Sequence, residues 1–299
     1  MTAPLRVTLA GRDLLRISDL VPAEAEAILD LAVEMKAGLR PLAPGSTLGM
    51  YFAKHSTRTR VSFSAAIAQL GGTPIPLTPE ELQISRGESL PDTARALSRY
   101  LDAIAVRTFE HAELEVWAEW ATIPVLNALT DEEHPCQALA DALTIRDRLG
   151  SLEGATVAWV GDGTNVLTSL AALGALLGYE VVAACPAGYE PRDESLLTLV
   201  RDPREAVRGA DVVVTDTWIS MGQEAEAEQR LGDLEPYRLD EALLELAAPD
   251  AFVMHCLPAH PGEEISADVL YGPRSAIWDE AENRLHVQKA LLALVLGVA

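Results

Sequence analysis

Cysteine is rare in this sequence of 299 residues, which contains only Cys136, Cys185 and Cys256 and no C-x-x-C spacing. This odd, sparse set argues against a disulfide framework and is typical of a reducing compartment. No stretch approaches the ~18 uninterrupted apolar residues that a membrane-spanning helix needs. The first residues lack the apolar core and small-residue cleavage site of a signal peptide. We therefore expect a cytoplasmic protein that does not bind membranes.

Positive charge is also scarce. The chain has 23 basic against 45 acidic residues, for a formal net charge of −22, and its only lysines are Lys36, Lys54 and Lys289. Such a surface repels the phosphates of nucleic acids and acidic membranes, so neither is an expected partner. Two arginines nevertheless fall in one short segment, at Arg58 and Arg60. A local positive site in an acidic protein suggests that an anion binds there.

Strand-like and helix-like segments alternate along the chain, which predicts an α/β fold of two doubly wound domains. Each domain is expected to have a mostly parallel sheet flanked by helices, with bridging helices joining the two domains. The predicted strands are 47–53, 103–106, 123–127, 155–160, 181–184, 211–215 and 251–254. The predicted division is a first domain at 1–135, a second at 150–283, and bridging helices at 136–149 and 284–299.

Polar clusters follow six of the predicted strands. They are 56–60, Arg107, 134–137, 162–165, 216–222 and 255–258. In open α/β folds, ligands bind beyond the carboxyl ends of the strands. The pattern therefore predicts a ligand cleft between the two domains.

The segment Ser56-Thr57-Arg58-Thr59-Arg60 begins a predicted helix. Backbone N–H groups at a helix start, together with hydroxyl and guanidinium donors, favour a phosphate. A second interpretation is an ordinary capped helix start with solvated arginines. The glycine spacing and terminal Gly-Lys-Ser/Thr of a Walker loop are missing.

Gly161-Asp162-Gly163 resembles half of a dinucleotide-binding fingerprint, which makes an NAD-dependent oxidoreductase an alternative function. However, Val166 occupies the third glycine position, and Cys185-Pro186 follows the next strand in place of an acidic residue. A tight strand-to-helix turn is the simpler interpretation.

Two histidine segments, 134–137 and 255–258, contain groups that could bind zinc, but their spacing matches no common zinc site. We expect hydrogen-bonding histidines and no metal. Asp216 and Ser220 lie four residues apart in a predicted loop, where they could bind an ammonium group together or belong to a simple Asx turn.

Taken together and in this order, the motifs resemble those of the ornithine carbamoyltransferases from about Gly11 to Leu296. The resemblance is carried by 56–60, Gln83, 87–94, Arg107, 134–137, 161–165, Asp216, 220–222, 255–259 and 282–284. It implies transfer of a carbamoyl group from carbamoyl phosphate to the δ-amine of ornithine, without a cofactor. The relatives that accept aspartate carry a lysine in the loop matching Ser85-Arg86, and this chain has none there.

The resemblance also implies roles for individual residues. Those expected to bind carbamoyl phosphate are Ser56, Thr57, Arg58, Thr59, Gln83, Arg107, His134, Gln137, Cys256, Leu257 and Arg284. Those expected to bind ornithine are Asn165, Asp216, Ser220 and Met221. Those expected to take part in catalysis are Arg58, Arg107, His134, Asp216 and Cys256. Gln83 matches a residue lent by a neighbouring subunit, so a homotrimer, or a multiple of trimers, is expected.

Four positions depart from the family pattern. Ala53 and Ser64 replace glutamates near the arginine motif, Thr164 replaces the first of two adjacent asparagines, and Thr168 replaces a histidine. Two further interpretations are open, the first of them because of these departures. One is a diverged carbamoyltransferase with a modified amine acceptor, and the other is a non-catalytic protein that binds carbamoyl phosphate or an amino acid.

Overall fold

Two separate parallel β-sheets organise the chain in the computed structural model, which describes residues 7–39 and 41–299. The first unit contains the residues up to Leu139 together with Arg284–Ala299, and the second is Ala140–Asn283. In the described part of the chain, no helix combines the length and apolar character that crossing a bilayer requires.

The first unit contains a four-stranded sheet in the order β2-β1-β3-β4, with every neighbouring pair parallel. Its strands are β1 (Thr47–Phe52), β2 (Thr73–Leu77), β3 (Ala103–Arg107) and β4 (Val125–Leu129). Its helices are α1 (Pro22–Lys36), α2 (Thr57–Gln69), α3 (Leu90–Leu97) and α4 (His111–Trp120). The next helix, α5 (Pro135–Leu149), contains the point where the chain passes into the second unit.

The second unit contains a five-stranded sheet in the order β7-β6-β5-β8-β9, again with all pairs parallel. Its strands are β5 (Thr156–Val160), β6 (Glu180–Ala184), β7 (Thr198–Val200), β8 (Val212–Thr215) and β9 (Phe252–His255). Its helices are α6 (Asn165–Leu177), α7 (Pro203–Val207), α8 (Ala227–Leu234), α9 (Glu241–Leu244) and α10 (Ala267–Leu270). The last helix, α11 (Ile277–Val295), contains the return to the first unit at Arg284.

The starts of several helices follow directly from side-chain caps. Ser56 caps α2 by accepting from the Thr59 N–H, and Ser89 caps α3 by accepting from the Asp92 N–H. Thr164 caps α6 in the same way. Each cap satisfies one of the N–H groups that a helix start leaves without an intrahelical partner.

The order of strands explains why the polar clusters matter. In the first sheet the chain reverses its direction of strand addition between β1 and β3, and in the second sheet it does so between β5 and β8. Crevices at such switch points, beyond the carboxyl ends of the strands, are the usual ligand sites of doubly wound folds. The α/β fold with two parallel sheets is thus confirmed, and the segments that follow β1, β3, β5 and β8 lie at the two switch points.

The sequence patterns did not predict two of the strands, β2 and β7. β2 contains Pro74 and Pro76, which argue against an interior strand, but β2 lies at the sheet edge and pairs only with β1. β7 is a three-residue edge strand. The final helix begins at Ile277, seven residues before the predicted start at Arg284, so 282–284 are helical.

Candidate active site

In the first unit, the start of α2 carries the arginine-rich segment. The Ser56 hydroxyl accepts a hydrogen bond from the Thr59 N–H at 3.2 Å, which confirms the capped helix start. Thr57 is exposed, Arg58 is partly buried and Thr59 is fully buried. The cap uses only one N–H of the first turn, and anion binding at this end of the helix stays a prediction.

Three further predicted residues gather around the buried end of this segment. Arg284 donates to the Thr59 hydroxyl, although 225 residues separate the two in sequence. Arg284 and Arg107 both act on buried His134, whose pKa lies well below its usual value because of burial first and the two positive charges second. His134 is therefore neutral at neutral pH, and an uncharged imidazole can still donate one hydrogen bond.

Gln137 occupies the first turn of α5 and is completely buried; its N–H donates to the His134 carbonyl at 3.0 Å. Pro135 begins this helix, a position where the missing N–H costs nothing. Burial raises the pKa of the neighbouring Cys136 thiol to about 12, so this thiol stays protonated. We call Thr59, Arg107, His134, Gln137 and Arg284 the arginine–histidine cluster.

Gln83 differs from the members of the arginine–histidine cluster in its exposure. It begins a short 3-10 helix, Gln83–Arg86, and its side chain is exposed.

The departures Ala53 and Ser64 lie near the arginine-rich segment at the start of α2. The Ser64 hydroxyl donates to the Arg60 carbonyl at 2.7 Å, and the Ala53 N–H donates to the Arg107 carbonyl at 2.9 Å.

In the second unit, Asp216 lies directly after β8 and is only 6% exposed. One carboxylate oxygen accepts the Thr164 hydroxyl at 3.1 Å, and the other accepts the Thr217 N–H at 2.7 Å and the Cys256 thiol at 3.0 Å. Burial, and next the charge of Asp216, raise the pKa of Cys256 well above its usual value. The thiol therefore stays protonated and donates to the carboxylate. We call Thr164, Asp216 and Cys256 the aspartate–cysteine cluster.

The other residues predicted to bind ornithine lie on the two segments that lead into this cluster. Asn165 is the first residue of α6 and is partly buried. Ser220 is partly buried, with its N–H donating to Gln223 at 2.9 Å, while Met221 is 40% exposed. The Thr217 N–H bond to Asp216 shows that this carboxylate also organises its own turn.

Leu257 follows Cys256 and has a left-handed backbone, with φ of 60°. Of the residues that hold this loop, His255 was predicted only as a hydrogen-bonding histidine and Glu264 was not predicted at all. Thr164 was noted only as a departure from the family pattern. Buried Glu264 follows no strand of the sheet and belongs to no motif, so no sequence signal identified it.

The Gly161-Asp162-Gly163 turn has a structural explanation. A Cβ added at Gly163 would lie 2.3 Å from the backbone nitrogen of Pro191, so glycine is required there by packing within the second unit. Asp162 pairs with buried Arg230, and the pKa of Asp162 is raised to about 6 because burial outweighs this pairing. The turn therefore provides no observation that favours NAD.

Two groups of possible metal ligands occur among the described residues, each with donor atoms within 4.8 Å of one another. The first is Asp216, His255 and Cys256, and the second is His260, Glu263 and Glu264. In the first group, the Cys256 thiol already bonds to Asp216, and both ring nitrogens of His255 have hydrogen-bond partners. A metal bound there would have to displace these bonds.

Comparison with known proteins decides the family. The family model for the aspartate/ornithine carbamoyltransferase carbamoyl-P binding domain matches residues 12–147, and the model for the Asp/Orn binding domain matches residues 153–295. This chain belongs to the aspartate/ornithine carbamoyltransferase family. The two matched segments contain the arginine–histidine cluster, apart from Arg284, and the aspartate–cysteine cluster respectively.

Individual relatives are similar over nearly the whole chain. The ornithine carbamoyltransferase of Nostoc sp. is 52% identical over 301 residues, covering 97% of this chain and 98% of that protein. That of Thermosynechococcus vestitus is 53% identical over 302 residues, covering 97% of each. The solved structure of the ornithine carbamoyltransferase from Pyrococcus furiosus superposes with a TM-score of 0.93 at 49% identity, covering 98% of this chain and 99% of that one.

Proposed function

We propose that this protein is a carbamoyltransferase that moves the carbamoyl group of carbamoyl phosphate to the δ-amine of L-ornithine, giving L-citrulline and phosphate. The observation that carries the proposal is similarity to ornithine carbamoyltransferases along nearly the entire chain, in both matched domains. The diverged acceptor and the NAD-dependent oxidoreductase are not favoured by any observation.

The first unit is proposed to bind carbamoyl phosphate. The N–H groups and hydroxyls of Ser56–Thr59 would hold the phosphate, with Arg58 as a charged partner. Arg107, His134 and Gln137 would hold the carbamoyl oxygen and amide, and Arg284 would complete the site from α11. Cys256 and Leu257 of the second unit and Gln83 are the remaining proposed donor contacts. The neutral state of buried His134 suits this role, because it offers a hydrogen bond without adding a third positive charge.

The second unit is proposed to bind ornithine. Asp216 is a buried carboxylate, and a buried negative charge needs a compensating partner. The α-ammonium group of ornithine would supply that partner, with Asn165, Ser220 and Met221 around the amino-acid end. Cys256 is proposed to lie beside the δ-amine. Its thiol keeps its proton, so it acts by hydrogen bonding and not as a nucleophile.

The reaction itself needs charge stabilisation more than acid–base chemistry. The neutral δ-amine attacks the carbamoyl carbon, and negative charge develops on the carbonyl oxygen. The bond between the carbamoyl carbon and the phosphate oxygen then breaks, and the proton that the amine loses leaves with the phosphate. Donors already aimed at that oxygen stabilise the charge where it develops, and loss of one such donor costs roughly 10²–10³ in rate. Arg107 and His134 are the proposed donors, and Arg58 is proposed to stabilise the leaving phosphate.

Assembly, location and pathway belong to the same proposal. We propose a homotrimer, or a multiple of trimers, in which Gln83 reaches the site of a neighbouring subunit; the exposure of Gln83 supports this. We also propose a cytoplasmic enzyme of arginine biosynthesis, because the three cysteines are free and citrulline is a precursor of arginine.

The test is citrulline production from carbamoyl phosphate with ornithine, acetylornithine, putrescine and aspartate compared side by side. Ornithine should be the preferred acceptor. Arg58→Ala should abolish use of carbamoyl phosphate, whereas Asp216→Ala should chiefly raise the KM for ornithine. Arg60→Ala is the matched control, since Arg60 is an exposed arginine of the same segment. Equal, mild effects of Arg58→Ala and Asp216→Ala on both substrates would contradict the assignment.

A further inference from the structure

The loop that follows β9 is held by a buried histidine. The backbone N–H of His255 donates to Glu280 at 2.8 Å, which fixes the residue at the end of the strand. The ring nitrogen Nδ1 accepts the Leu257 N–H at 2.9 Å, so Nδ1 carries no proton. The ring proton therefore lies on Nε2, which faces a carboxylate oxygen of Glu264 at 3.1 Å.

Glu264 is a fully buried carboxylate, and burial of such a group is costly unless it is paired and hydrogen-bonded. The oxygen that receives His255 Nε2 also accepts the backbone N–H of His260. One carboxylate oxygen thus bonds to both ends of the segment 255–260. These bonds satisfy that oxygen, and they also fix the path of the chain between the two ends.

The segment held in this way contains two predicted site residues. Leu257 has a φ of 60°, a left-handed conformation that is uncommon for a residue other than glycine, and its N–H is the group bound by His255. Cys256 donates to Asp216 at 3.0 Å. Because Leu257 and Cys256 are adjacent, rotation of the Leu257 backbone would also displace the thiol from the carboxylate.

We propose that Glu264 is a positioning residue for carbamoyl transfer. It acts through His255: the carboxylate keeps the ring proton on Nε2, which leaves Nδ1 as the acceptor that holds the Leu257 N–H. This ordered chain of bonds sets the positions of Cys256 and the Leu257 backbone. The inference rests on the proposed function, because it concerns the alignment of groups proposed to contact the substrates.

Variants at His255 can separate the two ring nitrogens. An asparagine oxygen reaches approximately the place of Nδ1, so His255→Asn retains an acceptor for the Leu257 N–H. A glutamine amide reaches approximately the place of Nε2, so His255→Gln retains the bond to Glu264 but loses that acceptor. We expect His255→Gln to lower kcat more than His255→Asn, by roughly 10- to 100-fold, since misplacement by about 1 Å costs on that order.

Variants at Glu264 test the other end of the chain of bonds. Glu264→Leu removes the acceptor for His255 Nε2 and should lower kcat by roughly 10- to 100-fold relative to the parent protein. Glu264→Gln keeps an oxygen that can accept from Nε2, so its kcat should stay within about threefold of the parent value. In the His255→Gln background, Glu264→Leu should add little further loss, because residues that act as one unit are not additive.

A purely structural role predicts that activity falls only because less of the protein is folded. Each variant is compared by kcat per folded protein, by melting temperature, and by the dissociation constant of inorganic phosphate, which is proposed to bind in the first unit. Positioning lowers kcat while the phosphate constant stays within about twofold of the parent value, and Glu263→Gln, at the neighbouring partly buried glutamate, leaves kcat unchanged. A loss of kcat that disappears after correction for the folded fraction would overturn the inference. So would fully additive losses in the double variant.

The two proposals fail in distinguishable ways. If the unmodified protein makes no citrulline, the proposed function fails before any variant is compared. If the unmodified protein is active and Glu264→Leu retains its kcat, the positioning role alone is wrong.

Discussion

Replacement of Thr164 by valine should damage the second unit at two points at once. The Thr164 hydroxyl accepts the Val166 N–H at 3.3 Å, which caps α6, and donates to Asp216 at 3.1 Å. Valine has nearly the same shape as threonine but lacks the hydroxyl. The substitution therefore removes both hydrogen bonds without opening a large cavity.

The magnitude follows from the two bonds. Loss of a helix cap costs about 1 kcal/mol. Loss of a hydrogen bond to a charged group costs about 1.5–3 kcal/mol, and Asp216 is too buried for water to replace the lost donor easily. We expect Thr164→Val to lower the free energy of unfolding by about 2.5–4 kcal/mol. Thr164→Ser keeps the hydroxyl and should lie within about 0.5 kcal/mol of the parent, as for an ordinary mild substitution.

Two assays check this expectation. Urea unfolding is followed by tryptophan fluorescence and by circular dichroism, because agreement between the two supports two-state analysis. Kinetics should show a raised KM for ornithine with Thr164→Val and little change in the KM for carbamoyl phosphate. The reason is that Thr164 contacts Asp216, the carboxylate proposed to bind ornithine. The reasoning is wrong if serine is as damaging as valine, or if valine changes stability by less than about 0.5 kcal/mol.

Three further outcomes are expected. The pKa of His134 is depressed, so the unfolded chain binds a proton near pH 6.5 that the folded chain does not, and stability falls below that pH by at most about 1.4 kcal/mol per unit. Unfolding at pH 5 and 7 should show a smaller drop for His134→Gln than for the parent, while exposed His55→Gln matches the parent. Gly163→Ala should lower the free energy of unfolding by about 1–3 kcal/mol through overpacking. Gly232 lies in α8, and no atom lies within 4 Å of a Cβ added there, so Gly232→Ala should raise the free energy of unfolding by about 0.5–1 kcal/mol. Urea unfolding measures both glycine variants, and equal effects would contradict the packing argument. Finally, kcat/KM should rise from pH 6.5 to 9.5, because the δ-amine titrates near ~10 like a lysine. Cys256→Ser should not change the shape of this profile, because the raised pKa of the Cys256 thiol keeps the thiol from titrating in this range.

Much of the fold was predictable because its signals are local. Short apolar runs marked β1, β3, β5, β8 and β9, and Ser56 marked the start of α2. β2 was not predictable in this way, since its prolines are tolerated only because of its place at the sheet edge. The start of α11 was also missed, although Asp279 and Glu280 in its first turn are acidic residues of the kind that favours a helix start.

The candidate site was predictable as a set of residues but not as a set of contacts. The motifs identified Asp216, Cys256 and Arg284, yet the bond between Arg284 and Thr59 joins residues 225 positions apart. Likewise, Thr164 was recognised only as a departure from the family, and its bond to Asp216 spans 52 positions. Local patterns carry no information about which distant side chains meet.

The sequence by itself determined the alternation of strands and helices, the family and the identity of most candidate site residues, since each depends on short segments or on their order. Only the tertiary structure decided that Thr164 orients Asp216, that Arg284 meets Thr59 and that Glu264 holds His255. For Thr164 and Asp216 the physical reason is that parallel strands place their carboxyl ends along one edge of a sheet. The bonds of Arg284 and Glu264 depend instead on where a helix and a loop pack. Residues far apart in sequence are thereby brought within hydrogen-bond distance, and their protonation states are set by the burial that results.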